Sequence, residues 1–166
     1  MILRGMFILY GLLLIGCGSQ KQRAQMSARQ LEGFYRLGDL PKAWERQRPG
    51  GADNAWYNPT LSSTIYSDSN CARRYQDGPL PDLSTHLISG IASGMPVREE
   101  TLTVDNRAAL LRVYSGQLDG VRVQLGIVVL NKDRCTYDLL YLAPPASFED
   151  GWADFVGLIS GFETER

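Results

Sequence analysis

The side chains of this chain that are best suited to chemistry are those of its three cysteines, Cys17, Cys71 and Cys135, and of its single histidine, His86. A thiol can be acylated, can pair with a second thiol in a disulfide, or can bind a metal ion as a thiolate. A zinc site is disfavoured, because no cysteine has a second ligand at the short spacing that such sites use. We therefore predict no metal, and because no Gly-rich phosphate loop is present we also predict no cofactor. The thiols are left for acylation and crosslinking.

Cys17 follows directly on an apolar N-terminal run. The first sixteen residues, MILRGMFILYGLLLIG, carry one charge, Arg4, and have the length of a signal-peptide core. The run ends in Leu-Ile-Gly-Cys, which resembles the lipobox of bacterial lipoproteins. The resemblance implies that residues 1–16 are a signal peptide cut just before Cys17, whose sulfur takes a diacylglycerol. An uncleaved N-terminal anchor with an incidental cysteine is the alternative.

A lipid on Cys17 would hold the mature chain at a membrane surface without crossing it, because several acyl chains together anchor a protein stably. Lipoproteins kept at the inner membrane typically carry Asp after the lipidated cysteine, whereas Gly18 stands there in this chain. The resemblance therefore favours the outer membrane, facing the periplasm, with the inner membrane as the alternative. Residues 17–32 are polar and predict a flexible tether, and residues 33–166 predict a single domain.

Cys71 and Cys135 form an even pair once Cys17 is assigned to the lipid. The bacterial envelope is oxidising, so these two residues predict a disulfide. Two free buried thiols are the alternative.

The formal net charge of −1 gives no indication of nucleic acid as a partner.

Short strands are predicted first in the domain. Aromatic residues punctuated by Pro and Gly indicate two strands with a loop at residues 48–54, and a further strand that ends at Cys71. A helix follows, with Asp82 as its N-cap and Gly90 or Gly94 at its end. Its apolar face repeats at three and four residues and comprises Leu80, Leu83, Leu87 and Ile91, with Ile88 alongside.

Residues 97–142 alternate between apolar and polar side chains and predict four antiparallel strands. The predicted turns are Asp105-Asn106, Asp119-Gly120 and Lys132-Asp133. The second of these turns places Tyr114 opposite Leu125. The third places Leu130 opposite Cys135.

The two faces of this predicted meander differ. One begins with Arg122 and Gln124 and becomes apolar toward Cys135. The other is apolar throughout and comprises Val121, Val123, Leu125, Ile127, Val129, Leu140 and Leu142. Such a sheet needs at least partial cover on both faces.

A closing helix supplies the second cover. Ser147 and Asp150 resemble a capping box, and Gly161 is predicted to end the helix. The apolar stripe comprises Phe148, Trp152, Phe155, Val156 and Ile159. The predicted fold class is therefore α+β, an antiparallel sheet with a four-strand C-terminal meander flanked by two main helices.

This order of elements, with the ending FEDGWADFVGLISGF, resembles the PsbP-like fold, which also includes small bacterial DcrB-type lipoproteins. The likeness covers roughly residues 33–162 and includes no catalytic motif. Members of this fold mostly bind or stabilise other proteins, so the resemblance implies a non-enzymatic protein. Fold alone does not fix function.

No catalytic set is apparent in the sequence. GLISG at residues 157–161 places its serine one position late for a nucleophile elbow, and His86 is expected to be a partly buried structural histidine. The main hypothesis is a non-enzymatic domain that binds or scaffolds another envelope protein. A carrier of a small apolar ligand or lipid is the alternative, and an enzyme of unrecognised type is the third. The candidate partner-binding residues are Arg73, Arg74, Arg122 and Gln124.

Overall fold

The computed structural model describes residues 35–71 and 78–164. The predicted signal peptide, the predicted tether with Cys17, and the pair Arg73 and Arg74 lie outside the described residues. The strands are β1 (Tyr35–Arg36), β2 (Glu45–Gln47), β3 (Asn54–Asn58), β4 (Ser63–Cys71), β5 (Arg98–Val104), β6 (Arg107–Leu118), β7 (Val121–Lys132), β8 (Cys135–Ala143) and β9 (Glu163–Thr164). The helices are α1 (Leu80–Leu87) and α2 (Phe148–Ser160).

A seven-stranded antiparallel sheet with the order β2-β3-β4-β8-β7-β6-β5 organises the domain, and β1 pairs separately with β9. The predicted meander runs from β5 to β8, and β4 joins it by pairing with β8. Cys71 and Cys135 stand directly opposite each other in that pairing and are joined by a disulfide. The predicted α+β class is confirmed.

The first two predicted turns of the meander are confirmed. Asp105-Asn106 and Asp119-Gly120 both have positive φ at each residue, which is the backbone of a type I′ hairpin turn. Tyr114 consequently lies opposite Leu125, as predicted.

The third predicted turn is wrong by one residue. The turn is Asp133-Arg134, with φ of 51° and 62°, and Lys132 remains in β7, where its Nζ contacts Asp105. Leu130 therefore pairs with Tyr137, and Cys135 with Lys132. The pairing moves by two residues, so every side chain keeps its predicted face.

The two helices cover opposite faces of the sheet, as predicted. α1 packs on the face that carries Leu125 and Ile127, and α2 packs on the face that carries Leu139 and Tyr141. Leu158, absent from the predicted stripe of α2, is fully buried, whereas Val156 is exposed and was wrongly included.

The helix ends differ in part from the predictions. α1 begins at Leu80, with Pro79 as its N-cap and Pro81 in its first turn, where a missing N–H breaks no intrahelical hydrogen bond. Asp82 lies within this first turn instead of capping the helix. Ser147 is the N-cap of α2, but its hydroxyl donates to the Leu61 carbonyl at 2.7 Å, so no capping box forms. Gly161 ends α2 as predicted.

α1 and α2 are the helices that the structure describes, and neither is long and apolar enough to cross a membrane.

Candidate interaction surface

The β6–β7 hairpin extends past its neighbours in the sheet. β5 pairs with β6 only as far as Val113, and β8 pairs with β7 only as far as Gln124. β6 and β7 continue to pair with each other up to Leu118 and Val121. Residues 115–124, called the hairpin end below, thus lack a neighbouring strand along most of both sides.

One face of the hairpin end is polar. Arg122 lies opposite Gln117, and Gln124 lies opposite Ser115, so strand alternation gathers the four side chains on the face that α2 covers further along. Arg122, Gln117 and Ser115 are exposed, and Gln124 is half-buried. The structure therefore brings the predicted residues Arg122 and Gln124 together on one patch.

The other face of the hairpin end is apolar and solvent-exposed. Leu118 and Val121 are directly paired, and their side chains are 39% and 64% exposed. Val121 lies on the apolar face, as predicted, but it is exposed because the cover from α1 and the segment after it does not extend that far. Val123, the next residue on that face, is buried. Two further exposed apolar residues, Met95 and Val97, precede β5.

The segment after α1 is fastened to the hairpin. The backbone N–H of Gln117 donates to the Ile91 carbonyl at 2.8 Å. Gly116 lies so close to the same carbonyl that a Cβ at this position would be 2.3 Å from its oxygen. An open groove of about 710 Å³ results between residues 90–93 and the hairpin end, and Arg122 and Asp119 contribute to its lining. Apart from Ile91, the groove is lined by polar and small residues.

The clearest electrostatic anomaly of the described residues lies elsewhere, at Asp138. Its side chain faces the α1 side of β8, directly opposite Asp68, and it is 6% exposed. Burial, and then the Asp68 carboxylate, raises the pKa of Asp138 to about 7, and Asn70 opposes this only in part. Its Oδ1 has no hydrogen-bond partner among the described residues. The sequence signal was present, since Asp138 interrupts the apolar alternation with Leu140 and Leu142.

His86 does not occupy the partly buried position expected of it. It lies exposed on α1, because the residues that face the sheet are Ser84, Leu83 and Leu87. Within residues 35–71 and 78–164, no three His, Cys, Asp or Glu side chains are grouped as metal ligands.

Comparison with known proteins identifies the fold. No protein-family model and no curated protein sequence matches the chain. Among solved structures, the cyanobacterial PsbP (CyanoP) of Synechocystis sp. PCC 6803 is similar, with a TM-score of 0.55 and 10% identity over 92% of this chain and 99% of that one. LpqN of Mycobacterium tuberculosis, described as involved in cell envelope biogenesis, is similar with a TM-score of 0.54 and 11% identity over 81% of this chain and 86% of that one.

A Bacteroides thetaiotaomicron VPI-5482 structure is also similar, with a TM-score of 0.57 and 10% identity over 80% of this chain. The likeness spans about half of that longer protein, 46% of its length. At such identities the comparisons establish the fold alone, and they confirm the predicted PsbP-like architecture.

Proposed function

We propose that this chain is a lipid-anchored envelope protein that binds another envelope protein through its hairpin end and performs no catalysis. The observation that carries the proposal is the exposed apolar pair Leu118 and Val121, backed by the polar patch around Arg122 on a projecting hairpin. Exposed apolar side chains and arginine are both typical of protein-binding surfaces, and here they occupy the two opposite faces of one projecting hairpin.

The energetics favour a binding role for this pair. Leu118 and Val121 leave apolar area in water, and covering both side chains would contribute on the order of 2 kcal/mol to an association. The type I′ turn at Asp119-Gly120 holds the two strands in register, so little order has to be gained on binding. The hairpin end is therefore suited to a partner that covers Leu118 and Val121 with an apolar site and accepts the Arg122 cation on the opposite face of the hairpin.

Anchoring at Cys17 complements this surface. The lipobox-like end of the apolar run supports it, and the similarity in fold to a mycobacterial protein involved in cell envelope biogenesis supports an envelope location. Mass spectrometry of the native protein should find a lipid-modified N-terminal Cys17 and no peptide from residues 1–16. A Cys17→Ser protein that stays with the membrane after an alkaline wash would contradict the anchor.

The binding role is tested by site-specific photo-crosslinking in the native envelope. A photoreactive residue at position 121 of the full-length chain should yield one discrete crosslinked protein. The same residue at position 156 is the matched control, since Val156 is also an exposed valine but lies on α2. Equal products from both positions, or none from position 121, would contradict a specific site at the hairpin end.

A further inference from the structure

A second cavity, of about 410 Å³, lies on the α2 side of the sheet at its β2–β3 edge. Its volume falls within the range of small-ligand sites. Its lining includes the side chains of Tyr35, Arg36, Asp39, Arg46, Asn54 and Trp56.

The walls of this cavity are fixed before any ligand arrives. The Gly38 amide donates to the Leu158 carbonyl at 2.9 Å, which fastens the segment after β1 to α2. Tyr35 packs between Tyr137 and Phe162, with ring centroids 5.3 Å and 5.5 Å away. Because these contacts already order the site, a ligand would pay little entropy to organise it.

The side chain of Arg46 indicates which kind of ligand the cavity would bind. Its Nη2 donates to the Asn54 Oδ1 at 2.6 Å, and its Cζ lies 5.7 Å from the centroid of the Trp56 ring. These two contacts orient the guanidinium, but no described carboxylate pairs with it. A planar, oriented guanidinium with unused N–H groups suits a carboxylate or phosphate, which it can bind through two parallel hydrogen bonds.

The charge balance of the lining restricts the ligand further. Arg36 is paired with Glu163, so Arg46 and the exposed Asp39 are the remaining opposite charges of the lining. A ligand with a single negative charge fits this balance better than a phosphate dianion. Asp39 can accept hydrogen bonds from hydroxyl groups, and burial raises the pKa of the Tyr35 phenol, which therefore stays neutral beside them.

We propose that this cavity binds a small hydroxy-carboxylate of one negative charge, such as a sugar acid, with its carboxylate on Arg46 and a hydroxyl on Asp39. The Trp56 ring, half-buried in the lining, offers an apolar surface to the ligand's carbon skeleton. The cavity is separate from the hairpin end, which lies on β6 and β7, toward the opposite edge of the sheet. If the cavity binds no hydroxy-carboxylate, the proposed binding role of the hairpin end is unaffected.

Isothermal titration of the full-length chain in detergent micelles tests the proposal, with glucuronate as the probe and glucose and inorganic phosphate as comparison ligands. Glucuronate should bind at millimolar concentration or better, and phosphate and glucose should bind at least about tenfold more weakly, because each lacks one of the matched groups. The backbone amides of Gly38 and Asn54 should shift in NMR spectra on adding glucuronate.

Arg46→Gln should weaken glucuronate binding about tenfold or more, because it removes the charge-assisted hydrogen bonds. Arg107→Gln is the matched control, since Arg107 is an exposed arginine of β6, near the opposite edge of the sheet. Arg46→Lys keeps the charge and should bind with intermediate affinity. Equal binding by the Arg46→Gln and Arg107→Gln proteins, no binding to the unmodified chain, or equal binding of phosphate and glucuronate would overturn the proposal.

Discussion

Replacing Asp138 with asparagine should stabilise the protein at pH 8 and leave its stability almost unchanged at pH 4. Asp138 is buried between β4 and β7, where Asp68 faces it from one strand and the uncharged Val129 from the other. Its pKa of about 7 in the fold, against 3.8 for the free side chain, means that the folded state holds this proton far more tightly than the unfolded state.

The sign of the pH dependence follows from proton linkage. Below about pH 4 the carboxyl is protonated in both states and imposes no penalty. Between about pH 4 and pH 7 the unfolded chain releases the proton while the fold retains it, so stability falls as the pH rises. Above about pH 7 the loss is complete, and the two pKa values convert to a penalty of about 4 kcal/mol from Asp138.

Urea denaturation of the two proteins from pH 4 to pH 8, followed by tryptophan fluorescence, measures this penalty directly. The free energy of unfolding of Asp138→Asn should exceed that of the unmodified protein by up to about 4 kcal/mol at pH 8, and the difference should vanish toward pH 4. Asp119→Asn, in an exposed turn where Asn tolerates the positive φ of 51°, should show no such difference. A pH-independent difference, or a less stable Asp138→Asn protein at pH 8, would refute the reasoning.

Two further predictions concern the covalent and packed core. Cys71 and Cys135 are 64 residues apart in sequence, and reducing the disulfide between them should lower the free energy of unfolding by roughly 4 kcal/mol. Thiol titration of the folded, unreduced protein should detect neither of these two cysteines as a free thiol. Gly126→Ala should lower the free energy of unfolding by about 1–3 kcal/mol in urea denaturation, because the new Cβ would lie 2.5 Å from the Trp152 ring. Gly157→Ala, in α2 with open space around the new Cβ, should instead raise the free energy of unfolding by up to about 1 kcal/mol. Equal effects from the two substitutions would contradict the close packing of Gly126 against Trp152.

Local rules account for the parts of the fold that could be predicted from the sequence. Alternation of side chains and the turn residues Asp119-Gly120 determine the register of β6 and β7, because a two-residue turn leaves no freedom in the pairing. At the third turn, Asp133 could be either the first or the second turn residue. In the fold Lys132 stays in β7 and contacts Asp105, a long-range contact that no local pattern contains.

The candidate surface could be predicted only in part. Arg122 and Gln124 were identifiable as a polar interruption of one sheet face, and the alternation that placed them there also placed Val121 on the apolar face. Its exposure depends on how far the cover from α1 and the following segment extends, and that is a tertiary property. The cavity at Arg46 could not be predicted for the same reason, since Arg46 and Asn54 meet only after β2 pairs with β3, and Asp39 joins them only when the segment after β1 is fastened to α2.

The most direct test of the proposed binding role is the affinity of the crosslinked partner for matched variants of the full-length chain. Val121→Ser should weaken binding about tenfold with little change in melting temperature, because it removes exposed apolar area from the hairpin end. Val156→Ser and His86→Ala should bind as the unmodified protein does. Binding that is insensitive to Val121→Ser would contradict the proposed surface, and a His86→Ala protein that keeps its fold and its partner but loses function would contradict the non-enzymatic role.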